Sequence, residues 1–343
     1  MHFDVFTSGS AGAFSMLTLT STLLDQPHVP MRLGRLGIFD VQGERTTKVS
    51  VERQGNTLVL VPVSQRGEIG TQNVKDGRTL VDIHSVRLAM EDVMTADEVQ
   101  NVRSLGSEGD LATMQEEAIR RGIRMSNSIE ATLEHHRIGA IKGQVLDADG
   151  SVVLDLPSTF GVTPQAERGT DFAGRAEGQL RPFYSQIIRD IEDELGGLPY
   201  HHIHCVASSG YMDALTSHPE TRENVKGWQA AQALMGQAAR SAPFEFAGIS
   251  FEEYRGKVGN TKYVDDDKAH FFPVEVPELF LQRFAPAEWT DTVNTVGLPR
   301  YMRMFYNPND PRQAHKVTWV VQAHPITMCT RPRVLIKAKV QAP

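Results

Sequence analysis

Residues 110–142 read DLATMQEEAIRRGIRMSNSIEATLEHHRIGAIK, and Gly143 follows. Leu111, Met114, Ala118, Met125, Ile129 and Leu133 recur at three- and four-residue steps, the spacing that lines one face of an α-helix. Asp110 is placed to cap the start and Gly143 to close the end. About 30 residues at ~1.5 Å each make a rod of roughly 45–50 Å, longer than a small domain is wide. The other face carries Glu116, Glu117, Arg120, Arg121, Arg124 and Glu134, which predicts a surface in water or against a neighbouring chain.

The segments around this helix set the fold class. Thr47–Arg53, the turn Gln54-Gly55-Asn56 and Thr57–Val63 predict a hairpin. Thr95-x-x-Glu98 is a capping box for a helix to about Leu105. After the long helix, Gln144–Leu146 and Ser151–Leu156 bracket Asp147-Ala148-Asp149-Gly150 as a second hairpin, and residues 157–180 read as loop. Phe183–Leu195, Tyr211–Thr216 and Glu223–Arg240 read as helices, with His202–Ala207 and Phe244–Glu253 as strands. Near the end, Lys316–Ala323 and Arg333–Val340 alternate as strands do, with Val317, Trp319 and Val321 facing one way. Helices and strands mix without a βαβ rhythm, and the long helix beside terminal antiparallel strands argues for an α+β fold.

The 343 residues correspond to roughly two domains. At 40% hydrophobic and 22% charged, the composition excludes a disordered tail, a collagen-like repeat and a polytopic membrane protein. A net charge of −7 leaves no basic excess for a phosphate backbone, which argues against a dedicated nucleic-acid reader. Cys205 and Cys329 form neither a disulfide framework nor a zinc ribbon, as expected of a reducing compartment. Val5–Leu24 is uncharged and long enough for a membrane span. Half of it is Ser, Thr and Gly, and Asp4 stands where a signal peptide wants a cation, so it reads as neither span nor signal. It reads instead as a polar arm entering a short helix near Met16–Leu24, stopped by Pro27 and Pro30. Residues 1–45 show little packed character and are expected to lie on something else. From Ser64 to His84 the chain is glycine-broken and lacks aromatics, and Arg66, Lys75 and Arg78 face Glu68, Asp76 and Asp82. Such a segment is a functional or partner-binding loop.

Catalytic patterns are weak. His202 and His204 alternate on a strand and would share a face about 6.6 Å apart, workable for one metal. A third ligand is not fixed, with His218 and Asp265 only candidates, and a core strand with satisfied histidines explains the cluster as well. Asp147-x-Asp149-Gly150 has its glycine two places early for a calcium loop, and Asp265-Asp266-Asp267 reads as a solvated tip. Glu130, Glu134, His135 and His136 miss both the metalloprotease and the di-iron spacings and read as helix surface. There is no Gly-x-Ser-x-Gly elbow. No catalytic residue, metal or cofactor is therefore expected; a metal-dependent hydrolase on an α+β scaffold, using His202 and His204, is the alternative.

The order of segments resembles the major capsid proteins of lambda-type tailed phages, the major capsid protein E family. The matching strings include Leu36-Gly37-Ile38-Phe39, Val49-Ser50-Val51-Glu52, Leu60-Val61-Pro62 and Arg66-Gly67. They continue with Glu134-His135-His136-Arg137-Ile138-Gly139-Ala140-Ile141-Lys142-Gly143 and Phe246-Ala247-Gly248-Ile249-Ser250-Phe251-Glu252-Glu253-Tyr254-Arg255-Gly256. Thr292-Val293-Asn294-Thr295 and Gly297-Leu298-Pro299-Arg300-Tyr301 complete the series. The resemblance implies the Hong Kong 97 phage-type capsid fold and a structural, non-enzymatic role. It implies an N-terminal arm at 1–45, an extended hairpin loop at 46–94, and a peripheral domain at 95–199 with a spine helix at 110–142. An axial domain at 200–300 and peripheral return strands at 301–343 follow. Many copies would form pentamers and hexamers of an icosahedral head in the virion, assembled in the bacterial cytoplasm. The shell would enclose double-stranded DNA without reading its sequence, assisted by scaffolding, portal and decoration proteins, with no membrane involved. Arg66, Glu68, Lys75, Asp76, Arg78 and Asp82 are the candidates for contacts between subunits. No motif places the Lys–Asn cross-link of the fold's namesake.

Overall fold

The computed structural model describes residues 15–25, 31–53, 79–95, 98, 110–234, 243–258, 261–306 and 316–341. In chain order, α1 (Met16–Asp25) and α2 (Arg32–Leu36) precede β1 (Asp40–Gly43), β2 (Lys48–Arg53), β3 (Thr79–His84) and β4 (Leu88–Thr95). Then come α3 (Asp110–Lys142), β5 (Gln144–Leu146), β6 (Val152–Asp155), β7 (Arg168–Thr170), α4 (Leu180–Leu195) and β8 (His202–Ala207). The helices α5 (Ser209–Ser217) and α6 (Pro219–Leu234) lead to β9 (Phe244–Phe246), β10 (Ile249–Glu253), β11 (Lys257–Val258) and β12 (Thr261–Lys262). The last strands are β13 (Lys268–Val274), β14 (Phe280–Phe284), β15 (Tyr301–Phe305), β16 (Lys316–Ala323), β17 (Pro325–Cys329) and β18 (Ile336–Val340).

Helix α3 has the bounds its periodicity predicts, and Gly143 ends it with a φ of 84°. Within the helix, Gly139 lets the returning chain pass close. A Cβ there would sit 2.8 Å from the Cα of Val145. The turn after β5 is also as expected: Asp147 N–H donates to Ser151 O and Gly150 N–H to Asp147 O. Of the first predicted hairpin, β2 is described, and among the described residues it pairs with β3. The predicted return strand at 57–63 lies outside the described residues. Thr95 is the end of β4 and Glu98 is helical; the rest of that predicted helix also lies outside them.

The chain forms two compact units. The first combines Met1–Val49, Ile83–Glu134 and Gln282–Thr327; the second combines Ser50–Asp82, His135–Leu281 and Met328–Pro343. These divisions differ from the boundaries expected at 199/200 and 300/301. Strand β13 bonds β8 on one side and β18 on the other, so the chain's end joins the body that holds the middle.

In the first unit, β16 lies between β15 and β4, antiparallel to both. Val317, Trp319 and Val321 face inward together, each fully buried, as the alternation predicts. Against them pack Ala118, Met125, Ile129 and Leu133 of α3, and Leu19 and Leu23 of α1. Gly122 leaves room for this packing, since a Cβ there would lie 2.8 Å from Met302 Sδ. Burying two leucines contributes about 3–6 kcal/mol. The expectation that residues 1–45 pack little on their own chain is therefore corrected for α1 and for Leu33, which is also buried. The expected wet face of α3 is exposed at Glu116, Arg120 and Arg124 but is corrected at Glu134, which is buried, as is Glu130, read as ordinary helix surface.

The second unit centres on a six-stranded mixed sheet ordered β7-β18-β13-β8-β10-β9. Strands β8 and β10 are parallel, with α5 and α6 between them in sequence, and β18 is parallel to β7, so crossovers exist where none was expected. One face of the sheet is apolar. Tyr184 of α4 stands edge-on to Phe251 at 5.1 Å between ring centroids, and Tyr184, Ile187 and Ile191 are fully buried. Side chains two apart share a face. The other face accordingly carries Lys268, His270 and Phe272 of β13 and His202 and His204 of β8.

Candidate assembly surfaces

The first surface is the base of the hairpin β2/β3. Ser50 Oγ donates to Asp82 Oδ1 at 2.5 Å, and Ser85 N–H donates to Thr47 O at 3.0 Å. Asp82 is exposed. The other five loop candidates, Arg66, Glu68, Lys75, Asp76 and Arg78, lie outside the described residues.

The second surface is formed by the first described segments, which buried polar contacts fasten to unit one. Thr20 Oγ1 accepts from Met302 N–H at 3.1 Å and donates to Met302 O at 3.4 Å. A helix side chain thus satisfies both backbone groups of one residue of β15. Glu134 Oε1 accepts from Leu33 N–H at 2.7 Å and Oε2 from Gly34 N–H at 3.3 Å. These are donors in the first turn of α2, which lack partners inside a helix. Downstream, Arg283 Nη2 reaches Asp40 Oδ2 at 2.7 Å and its Nε reaches Glu44 at 3.4 Å. The Arg283 hydrogen bond holds the Asp40 carboxyl below the usual carboxylate range.

The third surface is the outer side of β15-β16-β4. Val93 and Phe305 both stand opposite Thr318, forming one cross-strand row, and both are exposed. Arg303 lies 5.3 Å over the Trp289 ring and 5.5 Å from Phe305, and pairs with Asp291 at 3.2 Å. Val293 and Val296 are exposed in the same unit. No sequence pattern marked these residues, because their exposure depends on which strands flank β16.

Arg121 was legible only in part. Its bond to Glu117, four residues earlier on α3, follows from helical spacing. Its bonds to Asp92 at 3.2 Å and Glu98 at 2.8 Å required the fold. Charge attraction from these carboxylates outweighs desolvation and raises the Arg121 pKa.

The residues of the hydrolase alternative do not converge. His204 Nε2 lies 3.2 Å from Glu252 Oε2, and His202 Nδ1 lies 2.8 Å from Nδ1 of His201. Asp265 is engaged by Lys142 at 3.4 Å and Lys268 at 3.6 Å. His218 bonds Arg175 O through Nε2. Among the described residues, no three His, Cys, Asp or Glu side chains are grouped to hold a metal ion. None of the described helices is long and apolar enough to cross a membrane.

A sequence profile of phage major capsid protein E matches residues 15–340. The major capsid protein of Salmonella phage Felix O1 (isolate Felix O1-VT1) is 23% identical over 373 aligned positions, covering 98% of this chain and 99% of that one. A crystal structure assigned as the capsid protein of an E. coli CFT073 prophage superposes with a TM-score of 0.54 and 13% identity. It covers 94% of this chain and 97% of that one, and gives the fold as the Hong Kong 97 phage type.

Proposed function

Because the chain belongs to the phage major capsid protein E family, it is a structural, non-enzymatic component of the virion, and we propose that rings of five and six copies close its shell. The carrying observation is the family match, which spans nearly all of the chain, including both compact units. Self-association follows from the capsid role. Ring closure requires contacts in which one patch meets a different patch on the next copy.

In this proposal, the unit containing α1, β4, β15 and β16 is the peripheral part and the unit built on the six-stranded sheet is the axial part. The hairpin that leaves through β2 and returns through β3 reaches an adjacent copy, while β4, which the expected loop of 46–94 included, belongs to the peripheral sheet. Arg66, Lys75 and Arg78 pair there with carboxylates of the neighbour, and Glu68, Asp76 and Asp82 pair reciprocally. Exposed ion pairs contribute only ~0–1 kcal/mol each, so their weight comes from repetition over many copies. The shell encloses double-stranded DNA, and a net charge of −7 supports a wall that does not hold the genome fast. Scaffolding, portal and decoration proteins complete the assembly.

The test is expression of the full chain, alone and with its companion morphogenesis proteins, followed by negative-stain electron microscopy. Rings, tubes or shells are expected. A monodisperse monomer at high concentration in both cases would contradict the proposal.

A further inference from the structure

The polar face of the six-stranded sheet gathers more cations than it neutralises. Lys268 on β13 stands opposite Lys339 on β18, and His270 stands opposite Lys337. These four side chains share one face of two adjacent strands. Like charges directly opposite each other destabilise a strand pair. Lys142, in the last turn of α3, joins them through Asp265, which it shares with Lys268. Glu167 lies 3.7 Å from Lys268 and 3.6 Å from Lys339. Two carboxylates thus serve three of the lysines. Lys337 has no carboxylate at ion-pair distance among the described residues, although it is half-buried. Glu167, Asp155 and Asp265 act on Lys337 only from beyond that distance, and the Asp155 carboxylate accepts from Ser158 N–H and Gln144 Nε2.

Next to this cation is an unpartnered ring. His270 is 2% exposed, and neither Nδ1 nor Nε2 has a hydrogen-bond partner. A neutral imidazole always carries one N–H, and leaving a buried donor unmade costs on the order of 1–3 kcal/mol. The charges that act on this ring are those of Lys142, Lys337, Asp265 and Lys268. The cluster is not sealed, because the Lys339 and Lys268 side chains are 53% and 38% exposed.

We propose that Lys142, Lys268, Lys337 and His270 form a binding site for a phosphate-class oxyanion. Such an anion has several acceptor oxygens, so it can take ammonium donors from α3, β13 and β18, and the imidazole N–H, enclosed in the unliganded chain, joins them when the side chains around it move aside. Charge-assisted bonds of this kind are the strong ones. The same chemistry is offered by free inorganic phosphate and by the phosphodiester of a nucleic acid. The site lies within the second unit, and its test does not depend on shell assembly.

The experiment is calorimetric titration of the full-length chain with inorganic phosphate and, separately, with a short single-stranded oligodeoxynucleotide, at constant ionic strength. One phosphate bound per chain is expected, with binding weakened ~10-fold or more in Lys337→Gln, as loss of one charge-assisted bond implies. His270→Gln is the second variant and weakens it in the same direction. An oligonucleotide that competes with phosphate, and is weakened by the same substitutions, identifies the phosphodiester as the source. Phosphate binding that the oligonucleotide does not displace identifies the free anion. Absence of binding by both probes, or binding unchanged in both variants, would overturn the proposal.

Discussion

Arg300 and Glu130 form a buried ion pair in the first unit, Nη2 to Oε2 at 3.0 Å, with side chains 8% and 4% exposed. The pair ties the segment before β15 to the middle of α3. Removing one member leaves the other charge buried and unmatched, which costs about 3–5 kcal/mol. Arg300→Met should therefore lower the denaturation midpoint of the full chain strongly. The double variant Arg300→Met/Glu130→Leu should recover part of that loss, since apolar replacement of a whole buried pair is often neutral. Chemical denaturation followed by circular dichroism distinguishes the two outcomes.

Glu134 makes a second such tie, because its carboxylate caps α2. Glu134→Ala should leave the N–H groups of Leu33 and Gly34 without acceptors, at about 1–3 kcal/mol. The expected readout is local: faster limited proteolysis within the first 40 residues, with far-UV circular dichroism little changed. Cleavage at the wild-type rate would mean that α2 does not depend on this cap.

Acid should loosen the second unit through its histidines. Burial holds His270 down to about 3 and His136 down to about 4, both from an ordinary 6.5. Burial lowers His135 and His202 in the same direction. With folded values below unfolded ones, the unfolded chain takes up protons first as pH falls. This stability is intact above about pH 6.5, is lost on acidification, and stops changing below the folded values. Each group contributes a slope of about 1.4 kcal/mol per pH unit inside that window. Unfolding free energies measured between pH 6.5 and 4.5 should show a shallower slope in His270→Gln. An unchanged slope would show that His270 takes up its proton in the folded chain too.

The loop proposal has its own test. Arg66→Glu combined with Arg78→Glu should leave circular dichroism unchanged and prevent shell formation. Normal shells from this variant would remove these residues from the contact.

Legibility followed the range of the interactions. Helix α3 and strands β8 and β16 were read to the residue, because their periodicity or apolar run is local. The Asp147–Gly150 turn was read for the same reason. Strands β4, β13 and β14 were not foreseen, nor was the pairing of β2 with β3, since strand pairing joins residues far apart in sequence. Glu130 and Glu134 show the limit most clearly. Helical spacing put them on a charged surface, yet Arg300 and the backbone of α2 bury them, and no pattern on α3 announces those partners. The pairing of the last strand was not legible either, because Ile336 opposite Phe271 is a register that alternation alone does not choose.

The most direct measurement is cryo-electron microscopy of the particles formed by the full chain. Five- and six-fold rings of this one polypeptide, arranged in a closed icosahedral wall, are the predicted result. Particles whose wall is built from another chain, with this one absent or present only as a minor attachment, would contradict the account.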